Sequence, residues 1–304
     1  MNVTRALIRL LLFPGLLFAV PAAWLFLWVE RKSVALMQQR IGPPFMQPCF
    51  DFVKLLGKST PPRQGINGVL MRSWPILAVA SSIGALALLP VFARSGGFAG
   101  DLILFLGLLE LPAFFVIAAG YTSRSLFAEV GSVREAVLSV SYSVVFITAV
   151  LAIALSQHSF RLQDLAEAPL SVLRVLGVVA ILICIPAKLH INPFSLPNAE
   201  QEIYAGPMTE YAGPELALWE ISHGLEWVTM TGLVASLALP RTGFWFVDAL
   251  LFVTIALGIV LLLSGVAAAT ARLTIDAATR FYGRCVLVLA VLMVSSFVFI
   301  RSGL

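Results

Sequence analysis

Apolar residues run along this chain in long unbroken blocks. They follow neither the three-and-four spacing of a half-buried helix nor the alternation of a strand. Blocks of about 17–25 residues, the length that crosses a bilayer, fall at 8–29, 74–93, 102–120, 136–156, 172–187, 216–239, 244–268 and 284–300. Backbone polar groups inside a membrane must be satisfied within the segment, which for blocks this long means helices. The pattern therefore predicts an all-α polytopic membrane protein of about eight transmembrane helices, a single integral membrane domain over 1–304. The fifth block is the shortest and the sixth the most polar.

The first block follows Arg5 and Arg9, as a signal peptide would. It continues to Val29, however, and ends in Glu30-Arg31-Lys32 rather than at small residues, so it reads as a retained first span. Eight spans put both termini on one side. The four odd-numbered loops (30–73, 121–135, 188–215 and 269–284) hold thirteen of the twenty Lys and Arg residues. The positive-inside bias then places those loops in the cytoplasm and the termini outside.

Composition narrows the class further. The chain is 60% hydrophobic and 12% charged, about half the charge of a soluble domain. The net charge of +4, which would suggest nucleic acid in a soluble protein, is explained by the basic loops. Cys49, Cys184 and Cys285 lie far apart, and His158, His190 and His223 form no metal-binding spacing, so any redox centres must belong to partner chains.

The first loop, ERKSVALMQQRIGPPFMQPCFDFVKLLGKSTPPRQG, is long for a connector. Gly42, Pro43, Pro44 and Pro48 break it. Phe50, Val53, Leu55 and Leu56 then alternate with Asp51, Lys54 and Lys58 at helical spacing. That pattern fits an interfacial amphipathic helix, or a basic surface segment that only fixes topology.

The acidic residues are unevenly placed. Five of the sixteen (Glu200, Glu202, Glu210, Glu215 and Glu220) fall within NAEQEIYAGPMTEYAGPELALWE. Pro186, Pro193 and Pro197, followed by two AGP triplets, forbid a continuous helix there. Irregular backbone at membrane depth is tolerated where it is buried in protein or lines a watery cavity. Glu220, His223 and Glu226 continue the acidity inward at helical spacing. An ionisable group in a span costs at least about 2.5–3.5 kcal/mol, or else titrates near neutral pH, so this file could hand protons along. The plainer alternative makes Glu200 to Glu215 solvated loop charges. Glu110 and Asp248 are further intramembrane carboxylates, of which Asp248 lies near a span end.

Three segments carry a resemblance. They are the first loop, with its MQQRIGP and KLLGK; AGYTSRSLFAEVGSVREAVLSVSYS after the third block; and NPFSLPNAEQEIYAGPMTEYAG. In this order, and across nearly the whole chain, they resemble the eight-helix membrane subunit of respiratory complex I that borders its quinone cavity. They also resemble its counterparts in energy-converting nickel–iron hydrogenases of the formate hydrogenlyase, carbon-monoxide-induced and Ech types. The AEQE…GP…EY…G pattern is similar to the hydrogenase branch. The chain departs from the wider pattern at Ser195, where an aspartate is usual, and at Ser143, where complex I relatives have a glutamate.

The resemblance implies a membrane-anchoring, ion-coupling subunit that carries no cofactor itself. The nickel–iron centre and iron–sulfur clusters would belong to soluble large and small hydrogenase subunits, and an antiporter-like membrane subunit would lie alongside in a bacterial or archaeal cytoplasmic membrane. Glu30, Arg31, Lys32, Arg40, Asp51, Lys54, Arg134, Arg272, Asp276 and Arg280 would dock the soluble module. Glu200, Glu202 and Glu210 would form an acidic mouth beside it, and Glu135, Glu215, Glu220, His223 and Glu226 would carry protonation changes inward. The alternatives are a quinone-site subunit of a complex I-like dehydrogenase and an independent cation/proton antiporter. Against the antiporter stand the long basic loop and the lack of internal repeats.

Overall fold

The computed structural model describes residues 16–60, 62–90, 97–169, 171–238 and 245–302. Among them are eleven α-helices and no strand. In chain order these are α1 (Leu16–Met37), α2 (Gln47–Leu56), α3 (Gly65–Leu88), α4 (Asp101–Ser123), α5 (Leu126–Ser156), α6 (Leu162–Glu167), α7 (Val172–Lys188), α8 (Glu200–Ile203), α9 (Pro214–Ala238), α10 (Trp245–Ala269) and α11 (Ile275–Ser302). A 3₁₀ turn spans Gly206–Glu210.

Among the described residues, each apolar block holds one long helix, the first of them from Leu16 onward. Four of these helical segments, α3, α4, α5 and Leu250–Ala269 of α10, are long and apolar enough to cross a membrane. The other four are shorter or carry charge, as α9 does with Glu215, Glu220 and Glu226. The outer surface is apolar: Phe114, Val140, Val175, Leu261 and Leu262 are all exposed. That is the inside-out surface a lipid-facing bundle requires. Two helices organise the interior. α5 packs on α4, α7 and α11, whereas α9 packs on α1, α3, α7 and α10.

Helices outrun the apolar blocks at the odd-numbered loops. α1 continues to Met37, α5 begins at Leu126, and α11 begins at Ile275. Hydropathy marks only the oily part of a helix, while backbone hydrogen bonding carries it on into water. Pro186, expected to break the chain, instead lies inside the last turn of α7. Proline forfeits one intrahelical bond there, and the helix ends two residues later. Beyond it the backbone is irregular as expected, with His190, Tyr204, Gly206 and Gly213 at positive φ.

The amphipathic segment of the first loop is helix α2. Phe50, Val53 and Leu56 point outward, Pro48 is buried, and the Phe52 ring lies 5.9 Å from that of Trp24 on α1.

Side chains tie the odd-numbered loops together at one end of the bundle. Glu202 accepts from Arg134 at 2.5 Å and also from Arg272, so the fifth loop is joined to the start of α5 and to the segment before α11. Arg63 of the first loop reaches the Glu215 carboxylate and the Glu210 carbonyl, with its guanidinium 4.9 Å above the Tyr211 ring. The fifth loop also sits directly on α5. A Cβ added to Gly131 would come within 2.8 Å of Gly206 Cα and 2.7 Å of Pro207 Cδ, so only glycine lets the two backbones meet.

The opposite end is closed by polar side chains turned inward. Asp101, buried, accepts from the Leu162 amide at 2.8 Å. Arg174 is fully buried, with Nε donating to the Leu237 carbonyl at 2.7 Å, Nη2 to Ala166 at 3.1 Å, and Nη1 to Ala168. Those carbonyls finish α9 and α6, where a cation suits the helix dipole.

Candidate functional site

At the loop end the bundle encloses two adjoining chambers. The inner one, of about 440 Å³, lies among α1, α4, α5, α9 and the fifth loop. The outer one, of about 640 Å³, opens among Glu30, Gln38, Asn192, Gln201 and Arg272. Leu27, Arg31, His190, Asn198 and His223 line both.

The ionisable groups of the inner chamber come from several helices and one tight turn. α9 supplies Glu220, His223 and Glu226, spaced three apart so that each neighbouring pair lies close on the helix while the stripe drifts around it, and all three line the chamber. α5 supplies Glu135, α7 ends on Lys188, and α1 contributes Arg31. The turn after α7 adds His190, held at φ 52°, with the Ile191 amide donating back to Pro186 at 2.8 Å. A left-handed residue at this point reverses the chain and points the imidazole inward.

Buried charge here is matched by buried countercharge. His190 Nε2 lies 2.7 Å from Glu135 Oε2, an ion-pair contact rather than a well-aligned hydrogen bond. Lys188 Nζ lies 3.6 Å from Glu110 Oε2 on α4 and makes no hydrogen bond with protein. Ser143 Oγ donates to the same Glu110 oxygen at 2.9 Å. A carboxylate therefore occupies the place facing Ser143, carried by α4 instead of α5. For His190, burial works against the charged form, but the Glu135 carboxylate outweighs it and holds the imidazole above its ordinary value. Such an arrangement can hold, release and redistribute protons with little movement of heavy atoms.

The structure sorts the sequence candidates. Glu135, Glu220, His223 and Glu226 line the inner chamber. Glu202 lies outside both chambers between its two arginines, and their hydrogen bonds hold its carboxyl below the usual carboxylate range. Glu215 is buried away from the chambers against Arg63 and Arg72, and Glu210 borders the Arg63 contact. The side chain of Glu200 lies outside the described residues.

Among the docking candidates, Glu30 and Arg31 line the outer chamber together with Arg272. Arg31 also pairs with Asp51 at 3.5 Å. Lys32 Nζ donates to the Ile41 carbonyl at 2.5 Å, and Arg280 Nε to that of Asp276 at 3.0 Å. Arg40 and Lys54 are exposed on the first loop, and Arg134 holds Glu202.

Sequence reasoning missed Lys188, and it named His190 only as one of three histidines without metal-binding spacing. A lysine within ILICIPAK was the available signal, because an ammonium directly after an apolar run is either a boundary or a buried partner.

A helical membrane protein with buried ion pairs around a chamber open at one end is the class these features define. The chain matches the family described as NADH dehydrogenase over residues 10–298. It is 32% identical over 232 residues to the H subunit of NADH-quinone oxidoreductase from Brevibacillus brevis, covering 72% of this chain and 68% of that one. Its fold superposes with a TM-score of 0.83, at 25% identity over 95% of this chain and 97% of the other, on a chain from the structure of the membrane-bound sulfane sulfur reductase, an archaeal respiratory membrane complex. The chain belongs to the NADH dehydrogenase family, among the H-type membrane subunits of complex I-like enzymes.

Proposed function

We propose that this subunit couples electron transfer in a docked soluble module to proton movement, in a complex of the energy-converting hydrogenase type. The observation that carries the coupling role is the convergence of Glu135, His190, Lys188 and Glu226 on one chamber that continues outward to the loop surface. An electron arriving near that surface changes the field felt by coupled, partly desolvated groups and so their protonation. Moving a charge across 100 mV costs about 2.3 kcal/mol, the worth of between one and two pKa units, so modest shifts suffice. The tied loops, with Arg31, Arg40 and Lys54 beside them, offer the surface on which the soluble module rests. Its nickel–iron centre and iron–sulfur clusters sit in the partner chains, and an antiporter-like subunit lies alongside. On this reading the loop end faces the cytoplasm and both termini face outward.

The hydrogenase assignment is supported by the AEQE…GP…EY…G stretch. A second reading, a quinone-site subunit, is favoured by the name of the Brevibacillus relative and by the apolar wall of the inner chamber, which includes Val116, Leu216 and Trp219. Purification of the tagged chain from native membranes in mild detergent separates the two. Nickel, iron and hydrogen evolution from a low-potential donor in the eluate are the expected result. Quinone reduction without nickel would move the chain to the second reading.

A further inference from the structure

His190 stands where the two chambers meet, and its ring has a different neighbour on each side. Nε2 faces Glu135 at 2.7 Å, and Nδ1 faces the Asn198 amide at 3.4 Å. An amide donates through its nitrogen and accepts through its oxygen. A half-turn of Asn198 therefore gives the ring a partner with Nδ1 bare or protonated, and the bond to the charged ring is the stronger of the two.

His223 has no such freedom, although its ring lies parallel to that of His190, 6.3 Å away at 10°. The Trp227 indole N–H donates to His223 Nε2 at 3.2 Å. Indole can only donate, so that nitrogen is bare and the proton of His223 sits on Nδ1. Two stacked imidazoles thus have opposite capacities.

We infer that His190 is the proton-loading residue between the outer and inner chambers, that the Asn198 amide turns with its protonation, and that His223 is a fixed wall rather than a proton carrier. The inference rests on the proton-coupling reading above and deepens it by naming the entry point. Uptake forms a bond between Nδ1 and a proton relayed from bulk solvent through outer-chamber water, each water that gives up a proton regaining one from the solvent side, and the ring becomes an imidazolium whose charge Glu135 offsets. Passing the Nε2 proton to Glu135 leaves a neutral ring protonated on Nδ1. Once Glu135 has released its proton, transfer from Nδ1 to Nε2 through water restores the starting tautomer. The titratable and charged groups lining the two chambers around the ring are Glu135 on α5, Lys188 at the end of α7, Glu220, His223 and Glu226 on α9, Glu30 and Arg31 on α1, and Arg272 before α11, of which Glu135, Glu226 and Lys188 act on it most directly.

The test is nitrogen-15 NMR of the histidines in the purified complex between about pH 5 and pH 9, a range that brackets the ordinary imidazole value. His190→Phe and His223→Phe serve for assignment, with proton uptake by reconstituted vesicles measured in parallel. His190 is expected to gain its second N–H above the ordinary histidine value, and Asn198→Leu to lower that midpoint by about half to one pH unit, the difference between a hydrogen bond to a charged ring and one to a neutral ring. His223 is expected to keep one bare nitrogen throughout, and His223→Phe to retain most proton uptake while His190→Phe loses it. A titrating His223, or a His190 that never changes state, would overturn the inference. If His190→Phe fails to assemble, the wild-type and His223→Phe spectra still decide it. A titrating His190 in a wild-type complex that moves no protons would sink the coupling reading and leave the assignment of the loading residue standing.

Discussion

The ammonium of Lys188 lies 3.6 Å from the Glu110 carboxylate, inside the bundle and over the Tyr142 ring, whose centroid is 5.8 Å away. Taking either partner away leaves the other charge largely buried without its ion-pair partner. Lys188→Met and Glu110→Gln are each expected to destabilise the assembled complex by about 3–5 kcal/mol. The double substitution is expected to recover much of that loss. Thermal unfolding of the four species, arranged as a double-mutant cycle, measures the coupling; additive losses would mean the two charges do not depend on each other.

Glu202 holds the fifth loop through two arginines from different parts of the chain. Its carboxyl is held below the ordinary glutamate value, first by the hydrogen bond from Arg134 and then by charge from Arg134 and Arg272. A depressed value means the tie is fully present above about pH 4.3, the unperturbed glutamate value. It is lost only as the pH falls through the lowered value. Hydrogen exchange over residues 198–213 should therefore stay slow down to that range and rise below it, and Glu202→Gln should raise exchange at every pH. Loosening of the wild-type loop already near neutral pH would show that the arginines do not hold it.

Gly131 is the seat of the fifth loop on α5. An added methyl there meets Gly206 and Pro207 backbone and ring atoms rather than the yielding end of a side chain. Gly131→Ala is expected to cost about 1–3 kcal/mol and to push the loop away from Glu135, one turn further along the same helix. Protease sensitivity of the fifth loop, compared with that of a Gly258→Ala control where a Cβ meets nothing, reads this directly. Equal sensitivity would remove Gly131 from the account.

Arg40 is exposed, and on the proposed function it meets the soluble module. Arg40→Ala should leave stability within about 0.5 kcal/mol and reduce recovery of the soluble module in a pull-down. Undiminished recovery would count against the first loop as the docking surface.

Much of the fold is legible in the chain because a membrane filters sequences harshly. Blocks such as 102–120 and 244–268 are too long and too apolar to be anything but helices. Helix ends are less legible. Nothing in Arg31 to Met37 or in Leu126 to Glu135 is oily enough to signal a span, yet both are helical because neighbouring turns already supply the hydrogen bonds. Glu220, His223 and Glu226 declare themselves by their shared spacing. Lys188 with Glu110, and His190 with Glu135, do not, since only tertiary packing joins residues from separate helices. The loop glutamates form a cluster in sequence, but their arginine partners at 63, 134 and 272 divert Glu202 and Glu215 away from the chambers.

The inner chamber reaches Glu226, halfway along α9. A cavity of about 440 Å³ that carries Glu135, Lys188, His190 and Glu226 on its wall has room for roughly fifteen waters at about 30 Å³ each. Water conducts the potential of the compartment it joins, so a transmembrane voltage does not fall evenly along this protein. It falls mainly across the packed half beyond Glu226, where Met230, Leu233 and Leu237 of α9 are buried and Arg174 holds the Leu237 carbonyl. On the proposed coupling role, a proton entering as far as Glu226 would cross little of the voltage, and most of the electrical work would be concentrated in the short step beyond it.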